Sequence, residues 1–193
     1  MVEKAVLKLV DRMENENIIE KANREYYEYA LITMTEHMAA VASMLMIGMF
    51  FHQFVSTIIF IIFFLSLRKR TGGYHADKFW QCYLLTVATY IGVIHVAFVL
   101  MEKLFMMYGV LVWALLAIEI IGTVNHPNMA MDSSELQGTK KAARLLALIE
   151  FGVIAASTVL EINRLYVCYM SIAMILCSAL MCLAKILKQE VKV

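Results

Sequence analysis

Apolar blocks alternate with short polar segments along most of this chain, and the blocks have the length of membrane-spanning helices. A helix needs about 20 predominantly apolar residues to cross a hydrocarbon core of about 30 Å. We therefore interpret residues 31–193 as a single membrane domain built from six spans. The predicted spans are 31–51, 52–67, 80–101, 104–124, 142–160 and 165–184. The pattern predicts an all-α, polytopic membrane fold.

The second span is the shortest of the six. Its apolar run covers only residues 54–67, and His52 and Gln53 form the tip that precedes it. A run of this length is shorter than the bilayer core requires. The spanning helix must therefore include the tip residues, or the segment must lie in a thinned or re-entrant part of the membrane.

The first 30 residues are charged and periodic, and they predict amphipathic helices on the cytoplasmic side. One apolar face is formed by Val2, Val6, Leu9 and Met13. A helix with such a face either lies in the membrane interface or packs on the rest of the protein. Asn17 and Glu20 have the spacing of a capping box and predict the start of a second helix. The charge density of this segment predicts no cleavable signal peptide.

Composition and charge support the membrane assignment and set an orientation. Hydrophobic residues make up 62% of the 193, against about 45–50% in a soluble domain. With six spans and a cytoplasmic N-terminus, fifteen of the seventeen Lys and Arg residues face the cytosol. Only Lys103 and Arg164 then lie outside, which the positive-inside rule favours strongly. Both termini are expected inside, and the net charge of +1 gives no indication of nucleic acid.

The segment 68–82, between the second and third spans, holds the candidate chemistry. His75 and Cys82 are seven residues apart, which is about 10.5 Å along a helix. Proton transfer needs a distance of about 3 Å, so the two side chains can act together only if the chain folds back. Gly72-Gly73 provides the freedom for a sharp turn. The spacing alone also allows a purely structural Cys/His pair.

The third span is expected to activate the thiol. Asp77 is a fair N-cap residue for that span and would place Cys82 in its second turn. A helix N-terminus and a neighbouring imidazole both favour the thiolate, which is the nucleophilic form. The cytosolic face keeps the Cys82 thiol reduced. The chain has no HExxH motif and no second cysteine near Cys82, so we expect neither a metal site nor a cofactor.

Two acidic residues fall inside predicted spans, where a charge is costly. Glu119 and Glu150 either line a polar vestibule for a peptide or make hydrogen bonds between helices, with Arg144 as a candidate partner. Both interpretations stay open from the sequence.

The run Arg68-x4-Gly73-x-His75-x6-Cys82 resembles the signature of the accessory gene regulator B family. These proteins are membrane-embedded cysteine endopeptidases that process quorum-sensing pro-peptides in Gram-positive bacteria. The resemblance extends to the chain length, the six-segment layout and a polar fourth–fifth loop that contains Pro127-Asn128.

The resemblance implies a role for each residue of the run. Cys82 would be the nucleophile and His75 the general base. Arg68 would anchor the substrate or the loop, and Gly73 would permit the turn. Asp77 and Gln81 are the nearest candidates for orienting His75.

The implied substrate is a pro-peptide with an amphipathic leader and an acidic tail. Cleavage of the tail would leave a peptide thioester on the enzyme, and an internal thiol would then close a thiolactone ring. The other expected partner is the lipid bilayer, and a homodimer is left open. The alternative from a different class is a non-enzymatic peptide exporter or channel component.

Overall fold

The computed structural model describes residues 2–74, 79–125 and 131–189, and within these ranges all regular structure is helical. The α-helices are α1 (Val2–Asn15), α2 (Arg24–Phe50), α3 (Phe54–Thr71), α4 (Phe79–Glu102), α5 (Leu104–Ile121), α6 (Ser133–Val159) and α7 (Arg164–Ile186). A one-turn 3-10 helix, Lys21–Asn23, precedes α2. The prediction of an all-α fold is confirmed.

Five of these helices, α2, α4, α5, α6 and α7, are long and apolar enough to cross a bilayer. The remaining long helix, α3, has 18 residues but ends in Arg68, Lys69 and Arg70. Its apolar part is therefore short, as the sequence indicates. The chain is a polytopic membrane protein in which one central helix carries a cationic end.

Helix α7 forms the centre of the bundle. Its fully buried side chains include Cys168, Tyr169, Ala173, Met174, Cys177, Met181 and Ala184. Several of them are small, which lets neighbouring helices approach closely in a membrane. Helix α3 makes its most extensive contacts with α7, and α5 also packs there. The short α3 therefore lies against the most buried helix of the protein.

Aromatic side chains fix α3 in this position. The rings of Phe60 and Phe64 stack with centroids 5.4 Å apart. Phe60 also meets Tyr169 of α7 edge-on at 6.5 Å. Such pairs contribute about 0.5–1.5 kcal/mol beyond the area that they bury.

Hydroxyl pairs join the helices inside the apolar core. The pairs are Thr57 with Tyr90 at 2.5 Å, Ser43 with Tyr83 at 2.8 Å and Tyr108 with Thr158 at 3.1 Å. Each pair connects two different helices, and such bonds are worth about 0.6 kcal/mol on average in a membrane. They link facing surfaces of neighbouring helices.

Helix α1 packs on the start of α2 through a face that shares Val6 and Met13 with the predicted apolar face. Val6 and Val10 are buried with Ile19 and pack against Tyr27 and residues near it. Leu9, which we predicted to share the apolar face, is 48% exposed. Residues 6, 10 and 13 (steps of four and three) and residues 6, 9 and 13 (steps of three and four) each form an apolar stripe along one helical face. Contact with α2 decides which of the two overlapping stripes is buried.

The predicted capping box at Asn17 and Glu20 does not form. Glu20 precedes the 3-10 helix without a side-chain capping bond, and Asn17 has a positive φ of 55°. Helix α2 begins instead at Arg24, whose guanidinium orders the junction. It donates to carboxylates of Asp11 at 2.5 Å, Glu14 at 2.7 Å and Glu28 at 2.8 Å. A charge network, rather than a capping box, therefore fixes the α1–α2 turn.

The charge distribution predicts which loops face the cytosol. Lys103, between α4 and α5, and Gly138, near the start of α6, are both exposed, and a Cβ at Gly138 would meet no neighbour within 4 Å. We expect Lys103→Cys to react with a membrane-impermeant maleimide in intact cells, and Gly138→Cys to react only after permeabilisation. Both variants are made in a background that lacks the native cysteines. Labelling of Gly138→Cys in intact cells would overturn the topology.

Candidate functional site

The loop between α3 and α4 is shorter than the predicted segment 68–82. Helix α3 continues through Thr71 and α4 is already present at Phe79. Arg68 therefore lies in the last turn of α3, and Cys82 lies three residues after Phe79, where the described part of α4 begins. The predicted place of Cys82 in the second turn of α4 stays a prediction. His75 and Asp77 lie outside the described residues, so their partnership with Cys82 stays a prediction. Gln81 is exposed on α4, directly before Cys82.

The Arg68 guanidinium holds the backbone of the loop. Its Nη1 donates to the carbonyl oxygen of Gly72, and its Nη2 donates to the carbonyl oxygen of Tyr74 at 2.6 Å. The Gly72 N–H in turn donates to the Arg68 carbonyl at 3.1 Å. Hydrogen bonds from a charged donor are roughly twice as strong as neutral ones. Of the two roles expected for Arg68, the described contacts are those of a loop anchor.

Gly72 and Gly73 make this clamp possible because neither position has room for a side chain. Their φ angles are 63° and 129°, values that residues other than glycine rarely adopt. A Cβ on Gly73 would overlap the Arg68 guanidinium and lie 3.2 Å from the carbonyl carbon of Leu180. A Cβ on Gly72 would lie 2.6 Å from the Val124 carbonyl oxygen. The Gly-Gly pair therefore serves close packing as well as the turn.

Two further elements hold the same loop. The Tyr74 N–H donates to the Leu180 carbonyl of α7 at 3.1 Å. On the other side, the Val124 N–H donates to the Thr71 carbonyl at 2.9 Å. The chain from Thr71 to Tyr74 is thus held between α7 and the segment that follows α5.

That segment lies in a region that we predicted to be membrane span. The fourth span was expected to run to residue 124, but α5 ends at Ile121 and Gly122 adopts a φ of 75° at its C-cap. The signal was present in the sequence, since a glycine after an apolar helix commonly ends it. Because α5 ends at Ile121, residues 122–125 are outside the helix, and Val124 contacts the loop.

Cys82 is the cysteine best placed for chemistry. Cys82 and Cys182 are partly exposed, whereas Cys168 and Cys177 are buried. Of the two partly exposed thiols, that of Cys82 acts electrostatically on the Arg68 guanidinium. Cys82 therefore combines partial exposure with an electrostatic interaction with Arg68.

Cys177 on α7 is fully buried, and its Sγ donates to the Phe64 carbonyl oxygen at 3.5 Å. It interacts electrostatically with Arg68 and with Glu150. Because Cys177 is buried, its thiol is not accessible from the surface of the protein. Over residues 2–74, 79–125 and 131–189 no group of three or more potential ligand side chains is arranged for a metal ion.

Glu150 makes a hydrogen bond between helices. The hydroxyl of Ser66 on α3 donates to Glu150 Oε1 on α6 at 2.6 Å, and Glu150 is 5% exposed. Its Oε2 is buried without a hydrogen-bond partner among the described residues. Arg144 contacts the Ile120 carbonyl at 3.4 Å. Glu150 thus links α6 to α3 at Ser66, two residues before Arg68.

Replacement of Gly73 by alanine tests the clamp. We expect Gly73→Ala to displace the Arg68 guanidinium and to lower the free energy of unfolding by about 1–3 kcal/mol, the range for a strained backbone position. The measurement is thermal unfolding of the purified protein in detergent. Gly138→Ala is the matched control, because a Cβ there meets nothing within 4 Å. Equal stability of the two variants would contradict the described packing.

Comparison with known proteins gives one family. The family model described as accessory gene regulator B matches residues 6–184. The matched region contains the whole run from Arg68 to Cys82. No curated protein and no solved structure matches the chain.

Proposed function

Because the chain belongs to the accessory gene regulator B family, we propose that it is a membrane-embedded cysteine endopeptidase that processes a quorum-sensing pro-peptide. The enzyme cuts off the C-terminal tail of the pro-peptide and keeps the N-terminal part as a thioester. Family membership is compatible with a role in quorum sensing. The protease chemistry and its residues are our proposal.

One observation carries this proposal: a partly exposed thiol, Cys82, lies close to Phe79, where the described part of α4 begins, and acts electrostatically on Arg68. The guanidinium is already oriented, because two loop carbonyls accept its hydrogen bonds. A fixed cation stabilises developing negative charge without a reorganisation cost at the moment of reaction. We infer that Arg68 serves both the loop and the thiolate.

The first half of the reaction is acylation. His75 takes the proton from the Cys82 thiol, and the thiolate attacks the scissile carbonyl carbon of the pro-peptide. The C–N bond breaks, and the departing amine of the tail receives the proton back from His75. The tail leaves as a free peptide, and the N-terminal part remains bound to Cys82 through a thioester.

The second half is intramolecular. His75 takes the proton from a thiol of the bound peptide, and the resulting thiolate attacks the thioester carbonyl carbon. A new C–S bond forms, the C–S bond to Cys82 breaks, and Cys82 leaves as a thiolate that takes the proton back from His75. The product is a cyclic thiolactone, and the enzyme returns to its starting state. Water competes with the peptide thiol, and the position of Cys82 at a membrane edge limits that competition. A hydroxyl in place of the thiol gives a lactone by the same route.

Substitution of the two reacting residues tests the assignment. We expect Cys82→Ala and His75→Ala each to reduce pro-peptide cleavage below detection, because one removes the nucleophile and the other its base. Cleavage is followed by mass spectrometry of the pro-peptide after co-expression. Cys168→Ala is the matched control: it removes a buried cysteine of α7, and we expect it to cleave normally.

Normal cleavage by Cys82→Ala would rule out this nucleophile. Unchanged export of a peptide that the protein never cuts would favour the exporter alternative. Both variants must reach the membrane at the level of the parent, which immunoblotting of membrane fractions establishes.

A further inference from the structure

The segment Gly122–Asn125, which we name the brace, follows α5 and contacts the C-terminal turn of α3. Thr123, Val124 and Asn125 are fully buried. Buried polar side chains are costly unless they are hydrogen-bonded, and both polar side chains of the brace have partners. A buried polar segment beside the Cys82 loop has no part in the reaction as proposed so far.

The brace satisfies carbonyls that α3 cannot satisfy itself. The last four carbonyls of a helix lack intrahelical donors. The Thr123 hydroxyl donates to the Arg70 carbonyl at 2.9 Å, and the Val124 N–H donates to the Thr71 carbonyl at 2.9 Å. The two bonds hold the last turn of α3 at consecutive residues, directly before Gly72.

Asn125 fixes the other end of the brace. Its Nδ2 donates to the Met131 carbonyl at 3.1 Å, and its Oδ1 accepts from the Met131 N–H at 3.2 Å. Asp132, which follows Met131, caps α6: its carboxylate accepts hydrogen bonds of 2.7 Å from the Ser134 and Glu135 N–H groups. These bonds hold the pKa of Asp132 below its usual range. Asn125 therefore ties the brace to a well-capped helix start.

We propose that Thr123 and Asn125 are positioning residues for the Cys82 site, acting through the backbone of residues 70–72. This inference rests on the proposed function. Arg68 belongs to the same helical turn, so a shift of that turn moves its guanidinium and the loop that leads to His75 together. A misplacement of about 1 Å costs about 100-fold in rate when the reacting groups must be aligned.

Two substitutions at one position separate the hydrogen bond from the packing. Thr123→Val keeps the shape of the side chain and removes the donor, whereas Thr123→Ser keeps the donor. Thr57→Val is the matched control, because it removes a fully buried hydroxyl at the other end of α3. All are compared in the full-length protein in lipid nanodiscs with a synthetic pro-peptide.

Two readouts are taken on each variant: amide hydrogen exchange of residues 70–74, and kcat and KM for cleavage. We expect faster exchange in Thr123→Val and a kcat lower by about tenfold or more, with KM within about twofold, since alignment rather than binding is lost. Thr123→Ser should restore both readouts, and Thr57→Val should leave both near the parent. Asn125→Ala should likewise show faster exchange of residues 70–74 and a lower kcat.

Each contrary result has a separate meaning. Parent-like exchange in Thr123→Val would overturn the contact between the brace and α3. Faster exchange with an unchanged kcat, or an equal loss of kcat in Thr57→Val, would overturn the positioning role. A parent protein that does not cleave the pro-peptide would refute the proposed function, while the exchange data would still decide whether the brace holds α3.

Discussion

The hydrogen bonds from Arg68 to the carbonyls of Gly72 and Tyr74 are the interaction on which the rest of the site depends. A guanidinium at the edge of a membrane bundle needs compensation for its charge. Within the ranges described, no carboxylate lies at salt-bridge distance from Arg68, and the compensation comes from backbone carbonyls. The cation is thereby fixed in direction, and the loop is fixed with it. The same contacts require glycine at position 73, because a side chain there would overlap the guanidinium.

The fold supplies the support that this clamp needs. Helix α3 is short for a bilayer, but it packs on α7, the most buried helix of the bundle. The Leu180 carbonyl of α7 holds Tyr74, and the brace after α5 holds the last turn of α3. Helix α3, helix α7 and the brace, which are distant in sequence, therefore meet around the residues from Thr71 to Tyr74. Cys82 of α4 then interacts electrostatically with a cation whose direction is fixed by hydrogen bonds.

Local patterns in the sequence predict much of this architecture. Apolar block lengths identify the long helices, and the Gly-Gly pair marks the turn after α3. A glycine at position 122 and the spacing of Asp132 and Glu135 were further local signals, the first for the end of α5 and the second for the capping box of α6. The end of α5 was missed because the apolar run before Gly122 resumes at Val124.

Other features depend on contacts between distant parts of the chain and have no local signal. The bond from Thr123 to Arg70 joins residues 53 positions apart, and nothing in either segment indicates the other. Likewise, α1 offers two overlapping apolar stripes, and only its packing on α2 selects Val10 over Leu9. The sequence identifies Arg68 as a functional candidate, but the choice between loop and substrate as its partner needs the folded chain.

The most direct test of the account is to trap the covalent intermediate on Cys82. A pro-peptide whose internal cysteine is replaced by alanine can acylate the enzyme but cannot close the ring. The account predicts an adduct of enzyme and N-terminal peptide, seen by mass spectrometry after rapid quenching and released by neutral hydroxylamine, which cleaves thioesters. The adduct should be absent from Cys82→Ala and His75→Ala. Cleavage of this substrate by Cys82→Ser at the parent rate, with no adduct after rapid quenching of the parent, would contradict covalent catalysis by Cys82.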